Sequence, residues 1–438
     1  MSPLYLGLLV AASLIGILLL GTPVAFALGF VAVFYLFVFE GFSGLSVMAE
    51  TLFGGLDEFT LLSIPMFILM GAAVASSRAG GDLYEALERW MHRVPGGLLI
   101  SNICACSIFA ALSGSSPATC AAIGKMGIPE MQRRGYPDGL AAGAIGAGGT
   151  LGILIPPSIT MIVYGISTQT SIGRLFIAGI LPGLMLTALF MTWSLFYVKY
   201  KGFNFNPDDR SYTWREKFVI LPKVLPFFAI IVLVLWALYG GVTTPSEAAG
   251  VGAFICIVLV VVIYRMWKPK ELWRILQSAT RESIMIMMII GAAALFSYMM
   301  SSLYITQSLA EWIAAMEVNR WVLLLYTNLF LLLAGLFLPP VAVILMTAPT
   351  LVPIITQAGF DPIWFGVMLT INMEIGLITP PVGLNLYVIN GIAPDIRLTT
   401  ILWGALPFML CMVVGIILLA IFPEIATWLP NVLMGGEQ

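Results

Sequence analysis

Two proline pairs interrupt apolar stretches of this sequence. Residues 152–161 read GILIPPSITM and residues 376–385 read GLITPPVGLN, each with a glycine four positions before the first proline. Proline removes a backbone donor and clashes with the preceding turn, which costs roughly 3 kcal/mol in a helix interior. Each pair therefore predicts a helix break that leaves carbonyl groups free on one side and N–H groups on the other. Free carbonyls can bind a hard cation, and free N–H groups can bind a carboxylate.

Small polar side chains gather near both breaks. They are Ser113, Ser115 and Ser116 in SGSSP, Thr150 and Ser158 around the first proline pair, and Thr379 and Asn385 around the second. Oxygen ligands without histidine or thiolate suit a hard, weakly held ion such as sodium. Serine and threonine in membrane helices also commonly make interhelical hydrogen bonds, so that role stays open for each of them.

The composition predicts an all-α polytopic membrane protein. Of the 438 residues, 60% are hydrophobic and 10% are charged, with a mean hydropathy of +1.02, whereas about a quarter of the residues in soluble domains are charged. The first apolar segment lacks a basic n-region and is followed directly by a second one, so we expect it to be retained as a span. We expect the lipid bilayer to surround the chain, and no nucleic-acid partner.

Spans need about 20 apolar residues each, and this rule predicts ten crossings. They are roughly 4–20, 22–39, 60–77, 138–168 (broken), 174–198, 218–239, 246–265, 282–300, 361–392 (broken) and 398–422. Regions 97–126 and 321–354 are interrupted by turn residues at 113–117 and 338–340, which leaves arms mostly too short to cross. Both regions are predicted to be re-entrant hairpins, which are tolerated only where the backbone is buried in protein or lines a wet cavity.

The distribution of basic residues orients these spans. With both termini outside the cytoplasm, only Arg174 and Arg320 of the 20 Lys and Arg residues fall in outer segments. Cytoplasmic loops are enriched in Lys and Arg, and one missed crossing would invert every later loop. The single histidine, His92, falls in a predicted interfacial helix at 78–94, so a histidine metal site is not expected.

An internal repeat relates the two halves of the chain. A shift of 224 residues without gaps superposes Leu112 on Leu336, Ala118 on Ala342, Pro129 on Pro353, Gly135 on Gly359, Gly152 on Gly376, Pro156 on Pro380 and Pro157 on Pro381. Each half holds five crossings and one hairpin, and five is odd, so the second half must be inverted relative to the first. Inverted repeats with helices broken near the midplane are typical of secondary transporters.

Several motifs resemble those of one transporter family. The stretches SGSSPATCAAIG (113–124), IPEMQRRGY (128–136), LGILIPPSI (151–159), VTTPSEAAGVGA (242–253) and EIGLITPPVGLNLYV (374–388) resemble signatures of the large membrane subunit of tripartite ATP-independent periplasmic (TRAP) transporters. The resemblance covers nearly the whole chain. It implies a sodium-driven importer of organic acids in a bacterial inner membrane. It also implies a periplasmic substrate-binding protein and a small membrane subunit of about four spans as partners.

The resemblance further implies where ions and substrate bind. One sodium is expected at Ser113, Gly114, Ser115, Thr150, Gly152 and Pro156, and a second at Gly335, Leu338, Pro339, Gly376, Thr379 and Pro380. The substrate carboxylate is expected between the hairpin tips, near Ser115, Ser116, Pro157, Ser158, Pro381 and Asn385. Family members often carry an acidic residue in the outer hairpin turn, where this chain has FLPP at 337–340. Ionisable residues at membrane depth are costly and are therefore candidates for a functional role. Glu374 is the candidate that could supply the missing charge. The alternative is that Glu374 only ties two helices together.

An elevator mechanism is also implied, in which hairpins and broken helices move as a transport domain against a scaffold. The expected boundaries are scaffold 1–96, transport domain 97–168, scaffold helix and cytoplasmic connection 169–217, scaffold 218–320, transport domain 321–397 and C-terminal scaffold helix 398–438.

Other function classes fit the sequence less well. An ATP-driven pump is excluded for this chain, because it has no GxxxxGK[ST] phosphate loop and its longest soluble connection, 199–217, is too short for a nucleotide domain. An intramembrane enzyme would need a nucleophile with a base, or a metal cluster. A channel fits poorly with broken helices that enclose an ion site. A stand-alone sodium/carboxylate symporter of similar architecture remains the main alternative, and C4-dicarboxylates, sialic acid, other sugar acids and keto acids all remain open as substrates.

Overall fold

A computed structural model describes residues 2–91, 94, 96–201, 212–315 and 318–435. These residues form helices, and no strand occurs among them. His92 and most of the 199–217 connection lie outside the described residues.

The first half contains eleven α-helices and two short 3-10 helices, Phe59–Leu62 and Leu151–Ile153. The α-helices are α1 (Pro3–Leu19), α2 (Val24–Glu40), α3 (Phe42–Ser46), α4 (Met48–Leu56), α5 (Ser63–Ser76), α6 (Ala79–Met91), α7 (Gly97–Ser113), α8 (Ser116–Arg133), α9 (Asp138–Thr150), α10 (Ile159–Thr168) and α11 (Ile172–Lys201).

The second half begins after the short connecting helix α12 (Trp214–Val219). Its helices are α13 (Leu221–Tyr239), α14 (Pro245–Tyr264), α15 (Pro269–Ser302), α16 (Ile305–Ala315), α17 (Arg320–Phe337), α18 (Pro340–Gln357), α19 (Pro362–Leu377), α20 (Leu384–Ile392), α21 (Leu398–Ile421) and α22 (Glu424–Met434).

The predicted hairpins and broken helices are confirmed. The first hairpin consists of α7 and α8, and the first broken helix of α9 and α10. Helices α17 and α18 form the second hairpin, while α19 and α20 form the second broken helix. Both proline pairs lie between the half-helices, and both Pro–Pro peptide bonds are cis.

The two halves are interlocked crosswise, as an inverted repeat requires. Helix α2 packs against α15 of the second half, and α14, the counterpart of α2, packs against α5 of the first half. The same exchange occurs at the breaks, where α10 packs against α18 and α20 packs against α8. Each half therefore supplies the packing partner of the other.

Glycines bring α9 and α21 into close contact. A Cβ atom added at Gly143 would clash with the backbone of Gly404, and one at Gly404 would clash with the backbone of Gly139. Small residues allow membrane helices to approach in this way. Residues 139–149 are rich in glycine, and α21 is the helix that packs closely against them.

Several helices differ from the predicted spans. Helix α15 was predicted over 282–300 but begins at Pro269, because the charged residues before Glu282 continue the helix beyond the apolar stretch. The arms of the second hairpin are 18 residues each, longer than predicted, because Pro349 and Pro353 lie inside α18 without ending it. By length and apolarity, eight helices within the described parts of the chain could cross a membrane.

A charged helix ties the first hairpin to the surrounding helices. The predicted helix over 78–94 is confirmed as α6, and its Glu88 pairs with Arg134 at the end of the first hairpin, where Arg134 also binds Glu130 at 3.0 Å. On the other side of α6, Asp82 accepts a hydrogen bond from the Tyr264 hydroxyl at 2.9 Å. Helix α6 therefore contacts both the hairpin and helices of the second half.

Candidate functional site

The tip of the first hairpin lies directly against the first helix break. A Cβ atom added at Gly152 would lie 2.7 Å from the Ser115 carbonyl oxygen, and one at Gly114 would lie 2.7 Å from the Pro157 carbonyl oxygen. Gly114 has a φ of +59°, a conformation that side chains disfavour. Glycine is thus required at both positions for the tip and the break to meet.

Hydroxyl groups line this first junction. Ser113 Oγ lies 2.7 Å from Thr119 Oγ1, and both hydroxyls donate to the Ser115 carbonyl oxygen, at 3.2 and 2.9 Å. Thr150 donates to the Ala147 carbonyl at 2.7 Å and is fully buried. These oxygen atoms form the polar part of a region that is otherwise apolar, and their lone pairs are of the type that sodium prefers.

The second hairpin tip meets the second break in the same way. A Cβ atom added at Gly376 would clash with the Gly335 carbonyl group, and the Val382 N–H donates to the Leu336 carbonyl at 3.3 Å. The Thr379 hydroxyl donates to the Ile375 carbonyl at 2.6 Å. The second junction therefore repeats the close backbone approach of the first but holds fewer hydroxyl groups.

The two breaks differ in exposure. Pro156, Pro157 and Ser158 of the first break are buried. Pro380 and Pro381 of the second break are exposed, as is Pro339 at the tip, whereas Leu338 and Thr379 are partly buried.

Asn385 and Ser116 join the two halves of the site. Ser116 Oγ donates to Asn385 Oδ1 at 3.1 Å and accepts from Asn385 Nδ2 at 2.8 Å. Asn385 Nδ2 also donates to the Gly146 carbonyl at 3.1 Å. Both side chains are fully buried, so these two predicted substrate residues satisfy each other in this conformation.

The half-helices that follow the breaks begin differently. Ser158 caps α10 by accepting from the Met161 N–H at 3.2 Å, while its hydroxyl donates to the Ile153 carbonyl. Helix α20 begins after Gly383, which has a φ of +47°, and no side chain caps it. The Leu386 N–H of α20 donates to the Gly383 carbonyl at 2.8 Å. The Leu384 and Asn385 N–H groups before it are available to a negatively charged group, whereas Ser158 already binds an N–H group of α10.

Glu374 is buried in α19 without a hydrogen-bond partner. Its relative exposure is 0%, and neither carboxylate oxygen has a partner among the described residues. A charged, unpaired carboxylate inside a protein is strongly destabilised. Glu374 is therefore the described residue of the second broken helix that most needs a cation or proton beside it.

Comparison with known families decides the identity. The family model of the tripartite ATP-independent periplasmic transporter, DctM component, matches residues 11–425. The chain belongs to this family. It is a multi-pass membrane protein and a transporter large permease subunit, not an enzyme.

Curated relatives agree along most of the chain. It is 39% identical to the C4-dicarboxylate TRAP transporter large permease protein DctM of Pseudomonas aeruginosa, over 88% of this chain and 89% of that protein. It is 32% identical to the sialic acid TRAP transporter large permease protein SiaM of Vibrio cholerae, over 97% of this chain and 98% of the relative. Relatives that align with most of this chain are thus named for different substrates.

A solved structure shares the fold. The YdaH transporter of Alcanivorax borkumensis, described as having an unusual topology, superposes with a TM-score of 0.64 at 16% identity, over 91% of each chain. At this identity the likeness concerns the fold alone.

Some residues at the junctions were not predicted from the sequence. Thr119 lies four residues after Ser115, so helical spacing could have found it. Gly71 of α5 packs against the Ser113 carbonyl, where a Cβ atom would clash, and no local pattern indicates this contact. Asn328 and Asn372 are hydrogen-bonded between the second hairpin and its broken helix.

Proposed function

We propose that this large permease subunit imports an organic acid by coupling it to sodium. The observation that carries the proposal is the pair of hairpin–break junctions joined by Asn385 and Ser116, with carbonyl and hydroxyl oxygens on one side and the uncapped N-terminus of α20 on the other. Such a junction offers cation ligands and carboxylate ligands within one region of the protein.

The first sodium would bind at the first junction. Its ligands would come from Ser113, Gly114 and Ser115 at the tip and from Thr150, Gly152 and Pro156 at the break. Support comes from the Ser113, Thr119 and Ser115 oxygens, which already lie within hydrogen-bonding distance of one another. Because its hydroxyl lies beside these oxygens, Thr119 is added to the proposed ligands of the first sodium.

The second sodium would bind at the second junction, among Gly335, Leu338, Pro339, Gly376, Thr379 and Pro380. This junction has fewer hydroxyl groups and lacks a carboxylate in its turn, so backbone carbonyls would supply most of its ligands. Glu374, two residues before Gly376, would supply the missing negative charge.

The substrate carboxylate would bind at the start of α20. The free N–H groups and helix dipole there favour an anion. Ser115, Ser116, Pro157, Ser158, Pro381 and Asn385 would surround it, and Asn385 would exchange its bond with Ser116 for one with the substrate. A C4-dicarboxylate is the first substrate to test, because relatives at 35–39% identity carry that name.

An elevator motion would carry the site across the membrane. Helix α5 contacts both arms of the first hairpin and α10, whereas its repeat counterpart α15, which packs mainly against α2, contacts α18 among the hairpins and broken helices. This unequal packing supports a displacement of the hairpins and broken helices relative to α5 and α15. Helices α11 and α21 pack extensively against the hairpins and broken helices, so we group them with the moving part, although 169–217 and 398–438 were predicted as scaffold.

Large permease subunits of this family work with a substrate-binding protein and a small membrane subunit. We infer that this chain does so in a bacterial inner membrane, with a four-span small subunit, a periplasmic binding protein, and both of its own termini on the periplasmic side.

The test is uptake by proteoliposomes that contain both membrane subunits. With the substrate-loaded binding protein outside, an inward sodium gradient should drive uptake of the organic acid, and ATP should have no effect. Equal uptake under a proton gradient without sodium would contradict sodium coupling. Uptake without the binding protein would favour the stand-alone symporter instead.

A further inference from the structure

An apolar cleft opens between α2, α4, α5 and α15, away from the hairpin–break junctions. Its volume is about 760 Å³, and apart from Thr280 and Ser283 its walls are formed by apolar side chains and glycines. On α15 the lining runs from Leu276 to Leu295. At 1.5 Å per residue this is about 28 Å, close to the thickness of the hydrocarbon core of a bilayer.

The floor of the cleft is formed by small residues. A Cβ atom added at Gly29 of α2 would meet nothing within 4 Å, so this position faces open space. At Gly291 of α15, an added Cβ would approach the Leu52 and Leu56 side chains of α4 at 3.5 Å. The cleft is therefore open beside Gly29 and bounded by Leu52 and Leu56 beside Gly291, and no charged side chain is among the described residues that line it.

Basic residues lie on α15 beside the part of the cleft where its lining begins, at Leu276. Lys270, Arg274 and Arg281 project from the N-terminal part of α15 and are exposed. No carboxylate of the described residues lies within ion-pair distance of these three cations, whereas neighbouring Lys268 pairs with Glu271 at 3.8 Å. The distribution of charge along the chain assigns this end to the cytoplasmic side of the membrane.

Two of these cations share a side of α15 with the cleft wall. Arg274 and Arg281 are seven residues apart, which places them on one side of the helix. Arg281 precedes the cleft residues Ile284 and Met288 by three and seven residues, and these are 54% and 43% exposed. Basic groups at the cytoplasmic end of clefts between membrane helices attract anionic lipid headgroups.

We propose that the cleft holds an acyl chain of an anionic phospholipid whose headgroup is bound by Arg274 and Arg281. The lining of the cleft is apolar and extends about 28 Å along α15, which matches the length of an extended acyl chain in one leaflet and beyond. The basic end of the cleft selects a negatively charged headgroup.

The first measurement uses the unmodified complex with its small subunit. It is placed in nanodiscs with a phosphatidylglycerol that carries a diazirine near the end of one acyl chain, and the sites of photolabelling are mapped by mass spectrometry. Labelling should concentrate on α2 and on residues 276–295 of α15. Labelling spread evenly over the lipid-facing helices would overturn the proposal.

The second measurement counts the lipids retained by variant complexes after purification. Gly29→Leu fills the cleft and should reduce retained phosphatidylglycerol about tenfold, while Gly16→Leu, another open glycine position, on α1, should retain it. Arg274→Gln and Arg281→Gln should each lower the preference for phosphatidylglycerol over phosphatidylethanolamine about fivefold. Arg215→Gln, a basic residue on α12, is the control.

These outcomes separate the occupants of the cleft. Unchanged lipid retention in Gly29→Leu would overturn the acyl-chain assignment, and unchanged preference in the arginine variants would overturn the headgroup assignment. A photoreactive residue introduced in place of Met288, which lines the cleft and is 43% exposed, should capture lipid. If it captures the small subunit instead, the cleft is a protein interface and the proposal is wrong.

Discussion

The two helix breaks carry the same proline pair but differ in side-chain capping, in nearby hydroxyl groups and in exposure. At the first break, Ser158 caps α10, and Ser113 and Thr119 form a buried hydroxyl pair with the Ser115 carbonyl. At the second break, α20 begins at Gly383 without a side-chain cap, and Pro380 and Pro381 are exposed. Both copies thus share the close approach of tip and break, while side chains that differ between the copies divide the chemistry.

This difference predicts a division of labour. The first break is rich in neutral oxygen ligands, which suits a cation, and its half-helix is already capped. The second break leaves N–H groups free, which suits an anion. The hydrogen bonds between Asn385 and Ser116 connect the two breaks, so ligand binding at one break should change the ligand affinity of the other. Four predictions test this comparison.

The largest effect is expected where tip and break meet at backbone distance. Gly376→Ala should reduce uptake roughly 10- to 100-fold, because its Cβ would clash with the Gly335 carbonyl and overpacking costs about 1–3 kcal/mol. Gly152→Ala should do the same at the first break. The control is Gly391→Ala, where a Cβ meets nothing within 4 Å. Initial uptake rates at equal protein content measure this, and near-normal uptake in Gly376→Ala would mean that the second tip need not close on its break.

Asn385→Ala should affect substrate more than sodium. Loss of the side chain removes hydrogen bonds to Ser116 and Gly146 at the anion-binding side, and we expect the KM for substrate to rise about tenfold, as removal of one or two buried hydrogen bonds would produce. Ser194→Ala, which removes a hydroxyl bonded only to the Phe190 carbonyl of its own helix, serves as control. A larger change in sodium dependence than in KM would reverse the assigned roles of the two breaks.

Glu374→Gln should raise the sodium concentration for half-maximal uptake about fivefold. A carboxylate near the ion contributes on the order of 1 kcal/mol even in a high-dielectric setting. Folding and assembly with the small subunit should be normal. Its repeat counterpart is the neutral Thr150, so only the second site should respond. Unchanged sodium dependence would leave the second site to backbone carbonyls and Thr379.

The smallest effect is expected for Ser158→Ala. Loss of the cap on α10 should cost about 1 kcal/mol of stability, as at other helix N-termini. Thermal unfolding of the purified complex should show a lower midpoint, while substrate KM stays within about twofold. A large rise in KM would show that the first break also binds the anion.

Local chemistry made the breaks predictable. Proline pairs act on their own helix, so Pro156 and Pro380 predicted the positions of the interruptions. Contacts between distant segments were not predictable in this way. Gly71 meets Ser113, and Glu88 meets Arg134, only because the fold brings their helices together. The extension of α15 to Pro269 was missed because apolarity identifies membrane spans but not helices that continue into water.

The crosswise packing of the halves has a consequence for synthesis. Helix α2 ends at Glu40, but its partner α15 begins only at Pro269. At about 5–20 residues per second, the ribosome needs between about 10 and 50 s to deliver that partner. During this interval the first half is in the bilayer, and the surface of α2 that packs against α15 has no partner from this chain. Until α15 has been synthesised, the face of α2 that it covers can be shielded only by lipid or by other proteins of the membrane.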